Sequence, residues 1–204
     1  MKIERAVSKF LDSNVFAIKK NGQCIIVDAG CDLAQIKQMV GQNKVCGVFL
    51  THGHYDHSLY VKDYANAFDC KVFASEDVVD TLSNGQANYS EGQFVIDNFD
   101  KFVFVKDGEE FTLGEFNVKC IEGQGHSKCS MLYLVENLLF AGDVLFESGI
   151  GRTDLLGGSR KQMYDTLCKL ENLDFDVCYS GHGESSTKEK QSKNIALFKR
   201  FLSR

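Results

Sequence analysis

Three histidines and an aspartate crowd into six residues, in Thr51-His52-Gly53-His54-Tyr55-Asp56-His57, although the whole 204-residue chain holds only five histidines. Imidazole nitrogens and a carboxylate oxygen together form a donor set suited to zinc, iron or manganese. The segment follows the near-continuous apolar run Lys44–Leu50, which reads as a strand buried on both faces. It therefore sits at a strand end, where α/β proteins place their sites. In a turn opening into a helix, residues 52, 54, 56 and 57 can point inward together.

The other two histidines repeat that setting. His126 lies in Glu122-Gly123-Gln124-Gly125-His126-Ser127, a glycine loop behind a strand, and His182 lies in Ser180-Gly181-His182-Gly183, past a short strand. Asp143 ends Phe140-Ala141-Gly142-Asp143. A lone histidine after a strand is ordinarily a hydrogen-bonded structural residue. The tight cluster, with three further donors at strand exits, points instead to a metal centre at one sheet edge.

The elements that must position these donors follow from periodicity and turn chemistry. Val15–Lys19 and Gln23–Asp28, joined by Asn21-Gly22, read as a hairpin with a type I′ turn. Asp32–Val40 has helical spacing and Gly41 to stop it. A helix is expected over 58–68, a strand at Val72–Ala74 and a short helix at Glu76–Leu82. Residues 83–100, polar and rich in Asn and Gly, suggest a long surface loop over a site. Strands are expected at Phe102–Val105, Phe111–Leu113, Phe116–Ile121, Met131–Val135, Leu138–Leu145 and Val177–Ser180. Helices are expected over 160–171 and 188–202. Alternating strands and helices at both ends, with meandering hairpins between, predict two sheets between helical layers in one domain spanning 1–204.

Composition narrows the function. The 23 basic and 28 acidic residues give a net charge of -5, which offers no footprint for nucleic acid or an anionic membrane. The N-terminal stretch is charged and has no apolar signal core. No uncharged apolar run is long enough to span a bilayer. Eight cysteines occur without a C-x-x-C pair, several inside apolar runs; they read as buried, reduced thiols in a cytoplasmic protein. A monomer or homodimer is expected.

The successive motifs His-x-His-x-Asp-His, Gly-His, Phe-x-Gly-Asp and Gly-His-Gly resemble those of the metallo-β-lactamase superfamily, in order and spacing, from about Val15 to Asn194. Asp28-Ala29-Gly30 resembles its early Asp-x-Gly motif. Gly151-Arg152-Thr153-Asp154-Leu155, with Gly157-Gly158-Ser159, resembles a loop of the glyoxalase II-like (hydroxyacylglutathione hydrolase-like) branch. The resemblance implies an α/β fold, the αββα sandwich, with two divalent metal ions, zinc before iron or manganese. His52, His54 and His126 would hold the first ion. Asp56, His57 and His182 would hold the second, and Asp143 would bridge them. Ser127-Lys128-Cys129-Ser130 stands where the family usually has Thr-Pro-Gly-Ser. Cys129 thus occupies a usual glycine position, either as a tolerated substitution or in a tuning or redox role.

The implied chemistry is hydrolysis. Two such ions acidify a bridging water, and the hydroxide attacks a carbonyl polarised by one metal. Asp56 would orient that nucleophile or carry its proton. Arg152 and Asp154 would form an ion pair behind the ligands, or else touch substrate, and Asn88 and Tyr89 would reach substrate from the 83–100 loop. A hydroxyacylglutathione or another small thioester is the expected substrate, with a lactone or other ester close behind. The alternative within the same resemblance is a persulfide dioxygenase holding one iron on His52, His126 and Asp143.

Overall fold

The computed structural model of the chain describes residues 1–9 and 11–203. A first six-stranded sheet contains β1 (Lys2–Val7), β2 (Asn14–Lys20), β3 (Gln23–Val27), β4 (Lys44–Phe49), β5 (Lys71–Ala74) and β6 (Phe102–Phe104), in that spatial order. Helices α1 (Leu33–Val40), α2 (Tyr55–Ser58), α3 (Val61–Ala67) and α4 (Val78–Leu82) connect its strands. The second half supplies β7 (Glu110–Leu113), β8 (Phe116–Glu122), β9 (Met131–Val135), β10 (Leu138–Gly142), the ribbon of β11 (Leu145–Phe146) and β12 (Gly149–Ile150), then β13 (Val177–Ser180) and β14 (Ser186–Thr187). Its six-stranded sheet runs β14-β13-β10-β9-β8-β7, and α5 (Arg160–Glu171) and α6 (Lys188–Leu202) complete the chain.

Period-two alternation explains the layering. On β2, Phe16 and Ile18 face the interior between the sheets, with Phe49, Phe73, Phe116, Tyr133 and Phe140. Val15 and Ala17 face the other way, into a cluster with Ile36, Val61, Tyr64 and Leu82 of the first helical layer. The second sheet does the same: Leu132 and Leu139 pack against Met163, Leu167 and Ile195 of α5 and α6. The expected αββα sandwich is therefore the observed one. Between the sheets, Phe49 and Phe73 stack with centroids 4.8 Å apart and Phe73 and Phe111 at 5.3 Å; each fully buried ring contributes roughly 1.5–3 kcal/mol.

The Asn21-Gly22 turn has φ of 50° and 76°, the two positive values a type I′ turn requires. Asp32 caps α1 by accepting from the Gln35 amide at 2.9 Å. Two expectations need correction, and one strand is new. The single helix over 58–68 is two, α2 and α3, because Ala29 interrupts the helical ladder: its amide donates to His57 O at 2.7 Å and its carbonyl accepts from Tyr60 N at 2.9 Å. Asp56 O, which would otherwise serve Tyr60, accepts from Ser13 Oγ at 2.6 Å. Strand Leu138–Leu145 ends at Gly142, whose φ of 49° turns the chain. Finally, β1 was not expected, since Ala6 is its only buried residue; it is held by its ladder to β2.

Among the described residues no helix is long and apolar enough to cross a membrane.

Candidate metal centre

The topology brings four strand exits together. β8 is antiparallel to β9, β9 to β10, and β10 runs parallel to β13. The C-terminal ends of β8, β10 and β13 therefore share one end of the second sheet, and they lead to His126, Asp143 and His182. The first sheet delivers the exit of β4 to the same place: Thr51 O accepts from Met131 N, at the start of β9, at 2.8 Å. Buried Tyr133 crosses the sandwich and donates its hydroxyl hydrogen to Leu50 O (2.9 Å) or Phe73 O (3.1 Å). On the other flank, Asn14 donates to Ser180 O, Gly181 O and Gly183 O, and Ser13 bridges to His182.

At that junction the ligand atoms of His52, His54 and His126 lie within 4.8 Å of one another, as do those of His52, His57 and Asp143 and those of Asp56, His57 and His182. His54 Nδ1 is 3.0 Å from His52 Nε2 and 3.1 Å from His126 Nε2. His57 Nε2 is 3.2 Å from His182 Nε2, 3.3 Å from Asp56 Oδ2 and 3.4 Å from Asp143 Oδ1. Asp143 Oδ2 lies 3.6 Å from both His126 Nε2 and His182 Nε2, so this carboxylate stands between the two halves of the cluster. Gly181 must be glycine here, because a Cβ would lie 2.2 Å from Asp143 Oδ1 and 2.7 Å from His57 Cε1.

Outer partners assign the tautomers. Buried Asp28 accepts from Thr51 N (2.7 Å), Thr51 Oγ1 (2.8 Å) and His57 Nδ1 (2.8 Å). His126 Nδ1 donates to Arg152 O at 3.0 Å, and His52 Nδ1 lies 3.1 Å from Thr51 Oγ1. These bonds leave the Nε2 lone pairs of His52, His57 and His126 bare and directed into the cluster. Bare lone pairs at such separations repel unless a cation or proton lies between them. Asp143 Oδ1 is moreover buried without a hydrogen bond. The donor set thus fits divalent metal ions.

Without ions, burial lowers His52, His54 and His126, taking His54 to about 3. Burial opposes charging of His57 too, but Asp56, Asp143 and Asp28 outweigh it and raise His57 well above the ordinary histidine value. His182 is raised likewise, against burial, by Asp56 and Asp143.

The remaining expected site residues are placed unequally. Arg152 and Asp154 form a bidentate pair at 2.8 Å, but their side chains are 63% and 69% exposed; Arg152 reaches His126 through its carbonyl, not its guanidinium. Asn88 is fully buried. Its amide donates to Phe94 O and its carbonyl accepts from Tyr55 N, both at 2.8 Å, pinning the 83–100 loop. Tyr89 lies edge-on to the His54 ring at 5.0 Å, and its hydroxyl accepts from Leu156 N at 2.5 Å. Cys129 is buried, accepting from Gly53 N (3.4 Å) and Thr81 Oγ1 (3.5 Å) behind the histidine turn. Sequence reasoning missed Ser13, Asn14 and Thr51. Only Thr51 left a signal, a polar residue ending an apolar strand. Larger clefts, of about 510 and 260 Å³, lie elsewhere; one of about 230 Å³ adjoins His54.

A family model described as the metallo-beta-lactamase superfamily matches residues 8–182. The probable metallo-hydrolase YqgX of Bacillus subtilis is 29% identical over 197 residues, covering 92% of this chain and 93% of that protein. The crystal structure of the BLEG-1 B3 metallo-beta-lactamase superposes with a TM-score of 0.87 at 23% identity, over 97% of this chain and 99% of that one. That of TTHA1623 in a di-iron-bound form gives 0.80 at 21% identity, over 94% and 98%. At these identities the two structures speak for the fold alone.

Proposed function

The chain belongs to the metallo-beta-lactamase superfamily, and from that premise we propose that it is a hydrolase holding two divalent ions and cleaving small thioesters such as a hydroxyacylglutathione. The observation that carries this reading is the pair of converging donor sets, His52/His54/His126 and Asp56/His57/His182, with Asp143 between them. Zinc suits all of these donors, and iron or manganese suits them as well.

When bound, such ions lower the pKa of a water toward 7 and polarise a carbonyl, so no serine or cysteine nucleophile is needed. The chain's own residues supply the rest. Asp56, within 3.3 Å of His57 Nε2 and 3.2 Å of His182 Nε2, accepts a hydrogen bond from the attacking water and fixes its direction. Asp28, Thr51 and the Arg152 carbonyl hold the His57, His52 and His126 imidazoles in the tautomers that leave their inward nitrogens free. Tyr89 and the Leu156 backbone, joined at 2.5 Å, form a rim beside His54 that limits water around the thioester. The thioester reading also leans on the likeness of Gly151-Arg152-Thr153-Asp154-Leu155 to the glyoxalase II-like loop.

The test is elemental analysis of untagged protein, with thioester hydrolysis measured before and after chelation. Two metals per chain, with activity lost on chelation and restored by zinc or manganese, are expected. One iron per chain, no hydrolysis and oxygen uptake on glutathione persulfide would overturn the reading.

A further inference from the structure

The cleft of about 230 Å³ beside His54 is walled by Thr81 of α4, Ala87 of the following loop, Leu156 of the loop behind Arg152, and Lys128. Sites that take whole drug-sized ligands run to roughly 300–1,000 Å³. This one admits a limb of a substrate rather than all of it. Of the two limbs of a thioester, a peptide or carrier thiol is the larger, so the acyl group is the one that fits.

The charges at this cleft are lopsided. Lys128 Nζ lies 2.5 Å from Asp80 Oδ2 and 3.7 Å from Asp77 Oδ1. One ammonium thus faces two carboxylates, and it is committed to them. An anionic group at the far end of an acyl chain would meet net negative charge and find no free cation. The charge of bound ions acts on the carbonyl that every substrate shares, so it does not discriminate between acyl tails. Ala87 and Leu156 supply the apolar part of the wall, beside the uncharged Thr81, Asn84 and Ser127. The Tyr89 hydroxyl fixes the Leu156 side of it by accepting from the Leu156 amide.

We propose that this cleft is the acyl subsite and that it selects short, uncharged acyl groups over anionic ones. The assignment rests on the thioester hydrolase reading and adds to it the substrate class.

The test uses the metal-loaded full chain and acyl thioesters of N-acetylcysteamine: acetyl, butyryl, hexanoyl, and succinyl as the anionic counterpart of butyryl. Butyryl is expected to exceed succinyl in kcat/KM by at least tenfold. Asp80→Asn removes the nearer carboxylate, leaves Lys128 only the 3.7 Å contact to Asp77, and should raise the succinyl-to-butyryl ratio at least fivefold. Ala87→Phe fills the cleft and should lower the butyryl-to-acetyl ratio at least tenfold. Should that variant not fold, Leu156→Ala, at a side chain 60% exposed, should raise the hexanoyl-to-acetyl ratio instead. Hydrolysis with all these ratios unmoved, metal content and melting temperature being retained, overturns the acyl assignment alone. No hydrolysis of any thioester overturns the hydrolase reading and the acyl assignment with it.

Discussion

Asp28 Oδ2 accepts from His57 Nδ1 at 2.8 Å while the opposite nitrogen of the same ring points at Asp56, Asp143 and His182. The carboxylate sits at the exit of β3 in a left-handed conformation, φ 64°, and is 2% exposed. It fixes the ring's tautomer and raises its basicity toward whatever lies on the other side.

Asp28→Asn tests that relationship with little backbone cost, because asparagine tolerates the left-handed region. The amide is a weaker acceptor for His57 and carries no charge. Affinity for the ion on the Asp56/His57/His182 set is expected to fall about 10–100-fold, with the three-histidine set keeping its ion. Chelator competition read by metal stoichiometry gives the answer. Unchanged affinity for both ions would show that Asp28 only packs.

Acid should empty the two sets in sequence. In the metal-free protein burial lowers His52, His54 and His126, so they carry no proton that an ion must displace. His57 and His182 are raised by their carboxylate neighbours against burial. An ion there must expel protons, and that competition grows as pH falls. On lowering the pH from roughly 8 to 5, stoichiometry should pass from two ions to one, the survivor on the three-histidine set. Cobalt-substituted protein would resolve the order by its absorption bands. Simultaneous loss, or earlier loss from the three-histidine set, would contradict the argument.

How much of this was legible beforehand depended on how local each signal was. His52, His54, Asp56 and His57 announce themselves because one turn carries all four. His126, Asp143 and His182 are legible through the strand-then-glycine context they share. Arg152 shows what the sequence leaves out: the expected pair with Asp154 forms, but the contact to His126 is made by its backbone carbonyl, and any residue has one. The Asn88 side chain bonds within its own loop, to Phe94 O and Ser90 N, a role its residue type does not announce. The Asn14 clamp on the His182 loop joins residues 166 or more positions apart, and nothing in local periodicity encodes that. The split between α2 and α3 likewise depends on Ala29, a residue with no distinguishing side chain.

Tyr133 ties the two sheets to the metal centre, because its hydroxyl donates to Leu50 or Phe73 and Leu50 lies two residues before His52. Tyr133→Phe keeps the ring packing and removes one buried donor. The cost should be about 1–2 kcal/mol. For a domain of this size that lowers the melting temperature by roughly 2–8 °C. Denaturant unfolding with an unchanged slope would confirm a pure stability effect. An unmoved midpoint would mean that the two carbonyls are satisfied without the hydroxyl.

Cys129 stands beside the histidine turn, and its thiol accepts from Gly53 N at 3.4 Å and Thr81 Oγ1 at 3.5 Å while being 1% exposed. A redox role needs an accessible thiolate, and this sulfur is enclosed by the core cluster of the first helical layer. Iodoacetamide should therefore label the half-buried Cys46 and Cys168 well before Cys129, with metal content and any hydrolytic activity intact. Cys129→Ala should cost about 1 kcal/mol of stability and leave kcat/KM within roughly twofold, since a change of that size is under 0.5 kcal/mol of transition-state energy. Early alkylation of Cys129 in the native protein, with loss of activity in step, would instead make it part of the working site.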